Sequence, residues 1–157
     1  MSLESVRAFL SRHAPDLPII EVEESTATVD HAARALGVEP GRIAKTLAVR
    51  VAGAVFLLVT RGDARLDNAK TKARFGARPR MLGAEETLAL TGHPVGGVCP
   101  FGLATPLPIY CDESLRAFAI VFPAAGSLNS SVEVPPERLA ELVGASWVDL
   151  CRTPDYA

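Results

Sequence analysis

Two apolar, β-branched runs, Thr46–Val51 and Val55–Thr60, stand on either side of the short turn Ala52-Gly53-Ala54. A glycine-containing turn between such runs predicts a β-hairpin. The second run, Val-Phe-Leu-Leu-Val-Thr, is apolar enough to lie centrally in a sheet with both faces covered. A strand of that kind needs helices, and the flanking sequence offers them. Ser2 can cap a first helix whose stripe is Leu3, Val6 and Leu10, ended by Pro15 and Pro18. Thr28 caps a second, Val29–Leu36, closed by Gly37. Asp67 caps a third that runs to Phe75 with Gly76 as its stop, and a fourth spans Ala84 to Leu90 with its exit at Gly92. Pro135-Pro136 starts a fifth, Glu137–Val143. Further strands are expected at Ile19–Glu23, Pro108–Cys111, Phe118–Phe122, Ser130–Val134 and Trp147–Leu150. Strands intermingled with helices make the class α/β (α+β) with a mixed sheet.

At 157 residues and 48% apolar content, the chain can bury about 68–70% of its unfolded surface and is expected to form a single domain over residues 1–157. No run approaches the ~18 apolar residues of a membrane span, and Met1–His13 lacks the separate hydrophobic region of a secretory signal. Three cysteines, Cys99, Cys111 and Cys151, are an odd number, which favours reduced thiols and a cytoplasmic setting. The net charge of −2 argues against a surface that grips nucleic acid throughout. Its distribution is uneven: Arg61 to Arg80 holds seven cations against Asp63 and Asp67. That is +5, which leaves −7 for the rest of the chain. Lys70 and Arg74 share a helix face, so this strip, with Lys72, is a candidate contact for a phosphate backbone. A solvated helix face is the commoner explanation of such a run.

The motifs of nucleotide-driven chemistry and serine hydrolysis are missing: no G-x-x-x-x-G-K-[ST], no G-x-G-x-x-G, no G-x-S-x-G. The closest pair among Cys and His is His93 with Cys99, six positions apart, too far for the close pair of a zinc site. His93 and Cys99 can be read as base and thiol nucleophile, but a turn histidine and a small buried thiol are the plainer reading. Lys45 stands at the threshold of an apolar strand in Ile43-Ala44-Lys45-Thr46-Leu47. There a desolvated ammonium can hold a carbonyl oxygen or phosphate; an ordinary solvated lysine is the alternative. Gly96-Gly97-x-x-Pro100-x-Gly102 lets successive backbone N–H groups face one anion or carbonyl, or serves only as a tight connection.

Four motifs taken in order resemble the YbaK/EbsC family, free-standing relatives of the bacterial prolyl-tRNA synthetase editing (insertion) domain. They are Thr-Val-x-x-Ala-Ala-x-x-Leu-Gly-Val (Thr28 to Val38), Ile-Ala-Lys-Thr-Leu (Ile43 to Leu47), Gly-Asp-x-x-Leu-Asp (Gly62 to Asp67) and Gly-Gly-Val-Cys-Pro-Phe-Gly (Gly96 to Gly102). The similarity runs from about Ser25 to Leu150. It implies one compact domain with a central mixed, barrel-like sheet flanked by helices. It also implies hydrolysis of the ester in mischarged aminoacyl-tRNA, with no metal or nucleotide cofactor. Lys45 matches the family's essential lysine, and Gly96 and Gly97 match the loop whose backbone lines the aminoacyl pocket. Around them the resemblance places Thr28, His31, Cys99, Pro100, Phe101, Gly102, Ser127, Asn129 and Ser130 as substrate-binding positions. His31 stands where many relatives carry an acid, and Ser127–Ser131 differs from the form of the cysteine-specific branch. The implied partners are mischarged aminoacyl-tRNA, with tRNA-Pro first, and prolyl-tRNA synthetase; neither membrane nor DNA is implied. A binding module without catalysis, using the same pocket and basic strip, is the alternative.

Overall fold

A computed structural model describes residues 2–154. In chain order the elements are α1 (Ser2–His13), β1 (Ile19–Glu21), α2 (Val29–Leu36), β2 (Ile43–Val51), β3 (Ala54–Arg61), β4 (Arg65–Leu66), α3 (Asn68–Phe75), β5 (Arg80–Met81) and α4 (Ala84–Thr91). After the glycine loop come β6 (Ile109–Asp112), β7 (Phe122–Pro123), β8 (Ser130–Val132), α5 (Pro136–Val143), β9 (Ser146–Val148) and β10 (Cys151–Arg152). The hairpin is the centre of a mixed, open sheet, β5-β2-β3-β6-β9, with β7 on β2 as well. β2 and β3 pair antiparallel from Ala44↔Arg61 to Val51↔Ala54. β6 runs parallel to β3, and β9 parallel to β6. Two small antiparallel pairs, β1-β8 and β10-β4, lie beside it. The fold is thus the expected mixed α/β domain, although the sheet does not close into a barrel.

Leu57, Leu58 and Val59 are fully buried, as a central strand requires. The sheet feeds three cores: a small one joins Ile43 and Phe122 to Ala32 and Ala33 of α2, and two larger ones lie on its faces. Val59 and Ala44 join Cys99, Phe101, Val121 and Val132 on one side, covered by α1 and α5. Val49, Phe56 and Leu58 join Ala64, Leu150 and Cys151 on the other. Each fully buried valine or leucine contributes about 1.5–3 kcal/mol.

Helix boundaries follow the caps. Thr28 accepts from His31 N–H and Asp67 from Lys70 N–H, while Gly37, Gly76, Gly92 and Gly144 close their helices in the left-handed region. Of the expected strands, Ile19–Glu23 and Ser130–Val134 each end two residues early, and three others change more. β2 begins at Ile43, because Ile43 and Ala44 already pair with β7. The expected strand Phe118–Phe122 shrinks to β7, whose two residues pair with Ile43 and Ala44; shortly before it the Asp112 carboxylate accepts from Ser114 N–H and caps a 3₁₀ turn, Glu113–Ala117. The closing strand Trp147–Leu150 is split, since buried Asp112 also accepts Leu150 N–H and Cys151 N–H at 2.7 and 3.2 Å and pulls β10 away from β9.

Candidate active site

One edge of β2 is paired only at its ends. β7 covers Ile43–Ala44 and β5 covers Val49–Arg50, with Leu82 N–H donating to Ala48 O at 3.0 Å. Backbone groups alternate sides along a strand, so Thr46 N–H and C=O point to the same edge as Ala48 O, into the gap. A cavity of about 260 Å³ fills that gap, slightly below the ~300–1,000 Å³ of sites for drug-sized ligands. Ile43 through Ala48 of β2 line it, and the small side chains of Ala44, Thr46 and Ala48 on one face leave room for the notch. The N-terminal turn of α2 adds Thr28, Val29 and Ala32; the loop before it adds Thr26 and Ala27. Val95, Gly96 and Val98 close the side opposite, with Phe122, Ala124 and Ser131 beyond.

The cavity's electrostatics come mostly from backbone. The amino end of α2 presents N–H groups and the positive pole of its dipole. Gly97 N–H closes a turn onto Pro94 O at 2.9 Å, whereas Gly96 N–H has no acceptor among the described residues. Gly96 takes a φ of +98°. A Cβ there would come within 2.8 Å of Leu128 Cδ2, and one at Gly97 would lie 2.9 Å from Gly126 C. Two side-chain oxygens on the cavity lining, Thr26 Oγ1 and Thr46 Oγ1, are buried without a hydrogen-bond partner. Buried polar groups are rarely left so.

Lys45 borders the cavity, but its ammonium turns to the other face of β2 and donates to Ala64 O at 2.6 Å. Burial lowers its pKa from 10.5; Cys151 and Asp63 oppose that shift and Arg65 adds to it. Thr28 reaches the cavity, with its hydroxyl engaged by the helix cap. The other expected positions lie elsewhere. His31 is exposed in a neighbouring cleft with Glu24 and Arg34. Cys99, Pro100 and Phe101 are buried, and Gly102 packs on the α1 backbone at Ser5. Burial pushes the Cys99 thiol up to about 12, which leaves no thiolate for a nucleophilic role at neutral pH. His93, its neighbour, is a strut: its ring joins Ser2 Oγ at 2.5 Å and Phe101 O at 2.7 Å. Ser127 bonds Ser130 and Asn129, and Asn129 Nδ2 donates to Val22 O. That knot buttresses the glycine loop, because Gly97 rests on the Gly126–Ser127 backbone.

The cationic strip disperses. Lys70 is held by Asp149 and Cys151 O, at 2.9 and 2.8 Å, while Lys72 and Arg74 are exposed. Among the described residues no three His, Cys, Asp or Glu side chains converge as a metal site, and no helix is long and apolar enough to cross a membrane. Sequence reasoning missed Thr46 and Thr26. The small-residue triplet Ala44, Thr46, Ala48 at period two was a readable signal for Thr46. Thr26 had none, since its place depends on Thr26 N–H reaching Leu128 O across the fold.

The aminoacyl-tRNA editing domain family matches residues 23–142. This chain belongs to that family. It is 46% identical to protein YwhH of Bacillus subtilis (strain 168) over 97% of this chain and 98% of that one. It is 28% identical to the Enterococcus faecalis "Putative Cys-tRNA(Pro)/Cys-tRNA(Cys) deacylase EbsC" over 81% and 79% of the two chains. A crystal structure described as "a putative trans-editing enzyme for prolyl tRNA synthetase" superposes with a TM-score of 0.88, at 35% identity over 96% of this chain and 97% of that one. A stretch covering 16% of the Shouchella clausii proline–tRNA ligase is 37% identical over 57% of this chain. The editing-domain similarity inferred from the four motifs therefore holds across most of the fold.

Proposed function

We propose that the protein is a trans-editing deacylase that hydrolyses the ester of mischarged aminoacyl-tRNA, with tRNA-Pro carrying alanine, cysteine or serine as the substrate class. The observation that carries the reading is the cavity in the β2 edge. It is small, opens beside Lys45, and offers unpaired backbone and hydroxyl groups where an ester carbonyl and a short side chain would sit. An aminoacyl ester is already activated, so positioning a water and stabilising charge on the carbonyl oxygen are enough. Water oxygen bonds to the carbonyl carbon, and the developing oxyanion accepts from Gly96 N–H, Thr46 N–H or the α2 terminus. The acyl–oxygen bond then breaks, and the ribose oxygen leaves with a proton relayed through the vicinal hydroxyl. Among the described residues no His, Asp or Glu side chain lines the cavity, so in this reading the substrate supplies its own acid–base group. Lys45 needs only to swing from Ala64 O past the strand edge to meet the carbonyl or the terminal phosphate. Selection is by size: the notch between Ala44 and Ala48 admits a short side chain and excludes the proline ring.

The test is release of labelled amino acid from tRNA-Pro charged with alanine, cysteine, serine or proline. The expected result is turnover of at least one small non-cognate ester with proline spared. Binding of all four without turnover would overturn the reading in favour of a binding module.

A further inference from the structure

On the opposite face of β2, a second and more polar cleft of about 610 Å³ is lined by Lys45, Asp63, Arg65 and Arg152 among others. Lys45 therefore borders both cavities. Asp63 is committed to Arg61, with contacts of 2.5 and 3.1 Å. What remains on the walls is cationic. Arg65 and Arg152 are direct cross-strand partners in the β4–β10 ladder, and both are exposed. Like charges placed opposite one another are destabilising. Neither arginine has an ion-pair partner among the described residues; Asp67 senses Arg152, from beyond ion-pair range. The fold nevertheless holds them there, because buried Asp112 fixes the start of β10 through Leu150 N–H and Cys151 N–H. Two unpaired guanidinium groups and an ammonium lining one cleft suit the oxygens of a phosphate. Lys70, by contrast, is tied to Asp149 and Cys151 O.

We infer that this cleft binds the phosphodiester immediately preceding the esterified adenosine, with Arg65 and Arg152 as its ligands. The identity of that nucleotide rests on the deacylase reading; the anion chemistry does not. An RNA end whose ester enters the β2 notch passes Lys45 and presents its last phosphate to the arginine pair. The contact to RNA thus moves from the α3 face to the β4–β10 ladder.

Calorimetric titration with cytidylyl-(3′→5′)-adenosine, adenosine and inorganic phosphate tests this without requiring turnover. Arg65→Gln and Arg152→Gln should each weaken dinucleotide binding by about tenfold, the scale of a charged hydrogen bond, and leave adenosine binding unchanged. Between about 50 and 200 mM salt, the slope of log K against log salt should fall by ~0.7 for the lost phosphate contact. Unchanged dinucleotide binding in both variants overturns the inference. Inorganic phosphate binding as tightly as the dinucleotide overturns the assignment to an RNA end. If a variant does not fold, wild type alone decides: salt-independent dinucleotide affinity, or affinity equal to that of adenosine, refutes the site. Absence of deacylation in wild type would defeat the previous reading while leaving this titration interpretable.

Discussion

Lys45 and Thr46 are neighbours in sequence and lie on opposite faces of β2, and the two faces treat their polar atoms differently. On the Lys45 side the fold supplies partners. The ammonium donates to Ala64 O, and Thr60, opposite Lys45 in the ladder, bonds Ser114 Oγ and Cys151 Sγ. On the Thr46 side, Thr46 Oγ1 and Thr26 Oγ1 are buried and unpaired, and the strand edge is open between β7 and β5. A hydroxyl satisfied by the fold contributes to stability, whereas an orphaned one costs stability and is open to a partner from outside the fold. The protein spends polar satisfaction on one face and withholds it on the other.

The largest test of that contrast is Lys45→Ala, which should reduce deacylation by about 10²–10³-fold, the scale of removing one preorganised electrostatic group. Single-turnover rates at saturating protein check it; full activity would show that the ammonium stays with Ala64 throughout. Gly97→Ala should come next. Its Cβ would press on the Gly126–Ser127 backbone, costing about 1–3 kcal/mol as overpacking and displacing the loop, read by denaturant unfolding and by activity together. The paired threonines sharpen the comparison further. Thr46→Val should lower activity about tenfold while stability holds or rises. Thr60→Val should do the reverse, losing about 1 kcal/mol with activity intact. If both variants behave alike, the two faces do not differ as described.

A pH series gives a smaller but signed effect. The Lys45 pKa lies below 10.5 in the folded chain, so the folded state binds fewer protons than the unfolded one between those two values, and stability rises with pH across that window. Activity that needs the ammonium falls over the same window, and Lys45→Arg should move the alkaline fall upward. Cys99→Ser should change activity least, within about twofold, since the thiol is buried and stays protonated.

Much of this arrangement was legible in the chain. The hairpin, its central second strand and the caps at Thr28 and Asp67 all follow local rules, and Lys45 stood out by its place at a strand start. The glycine loop was only half legible. Its seven residues read as one ligand-facing unit, yet Val95, Gly96 and Val98 line the cavity while Cys99 and Phe101 pack in the core. Nothing in the motif distinguishes the halves, because α1, nearly a hundred residues earlier, covers the second half and contacts Gly102. The cationic strip was legible as composition and illegible as arrangement, for a similar reason. Spacing along α3 cannot reveal that Lys70 meets Asp149, or that Arg65 faces Arg152 across a ladder formed by the last residues of the fold.

The most direct measurement is a crystal structure of the protein with a non-hydrolysable amide analogue, 3′-alanylamino-3′-deoxyadenosine. The alanyl carbonyl should lie in the gap between β7 and β5, within hydrogen-bond distance of Gly96 or Thr46 N–H, with Thr26 or Thr46 Oγ1 newly partnered. An alanyl group seated near His31, or one in the cleft of Arg65 and Arg152 with both threonine hydroxyls still unpaired, would contradict it.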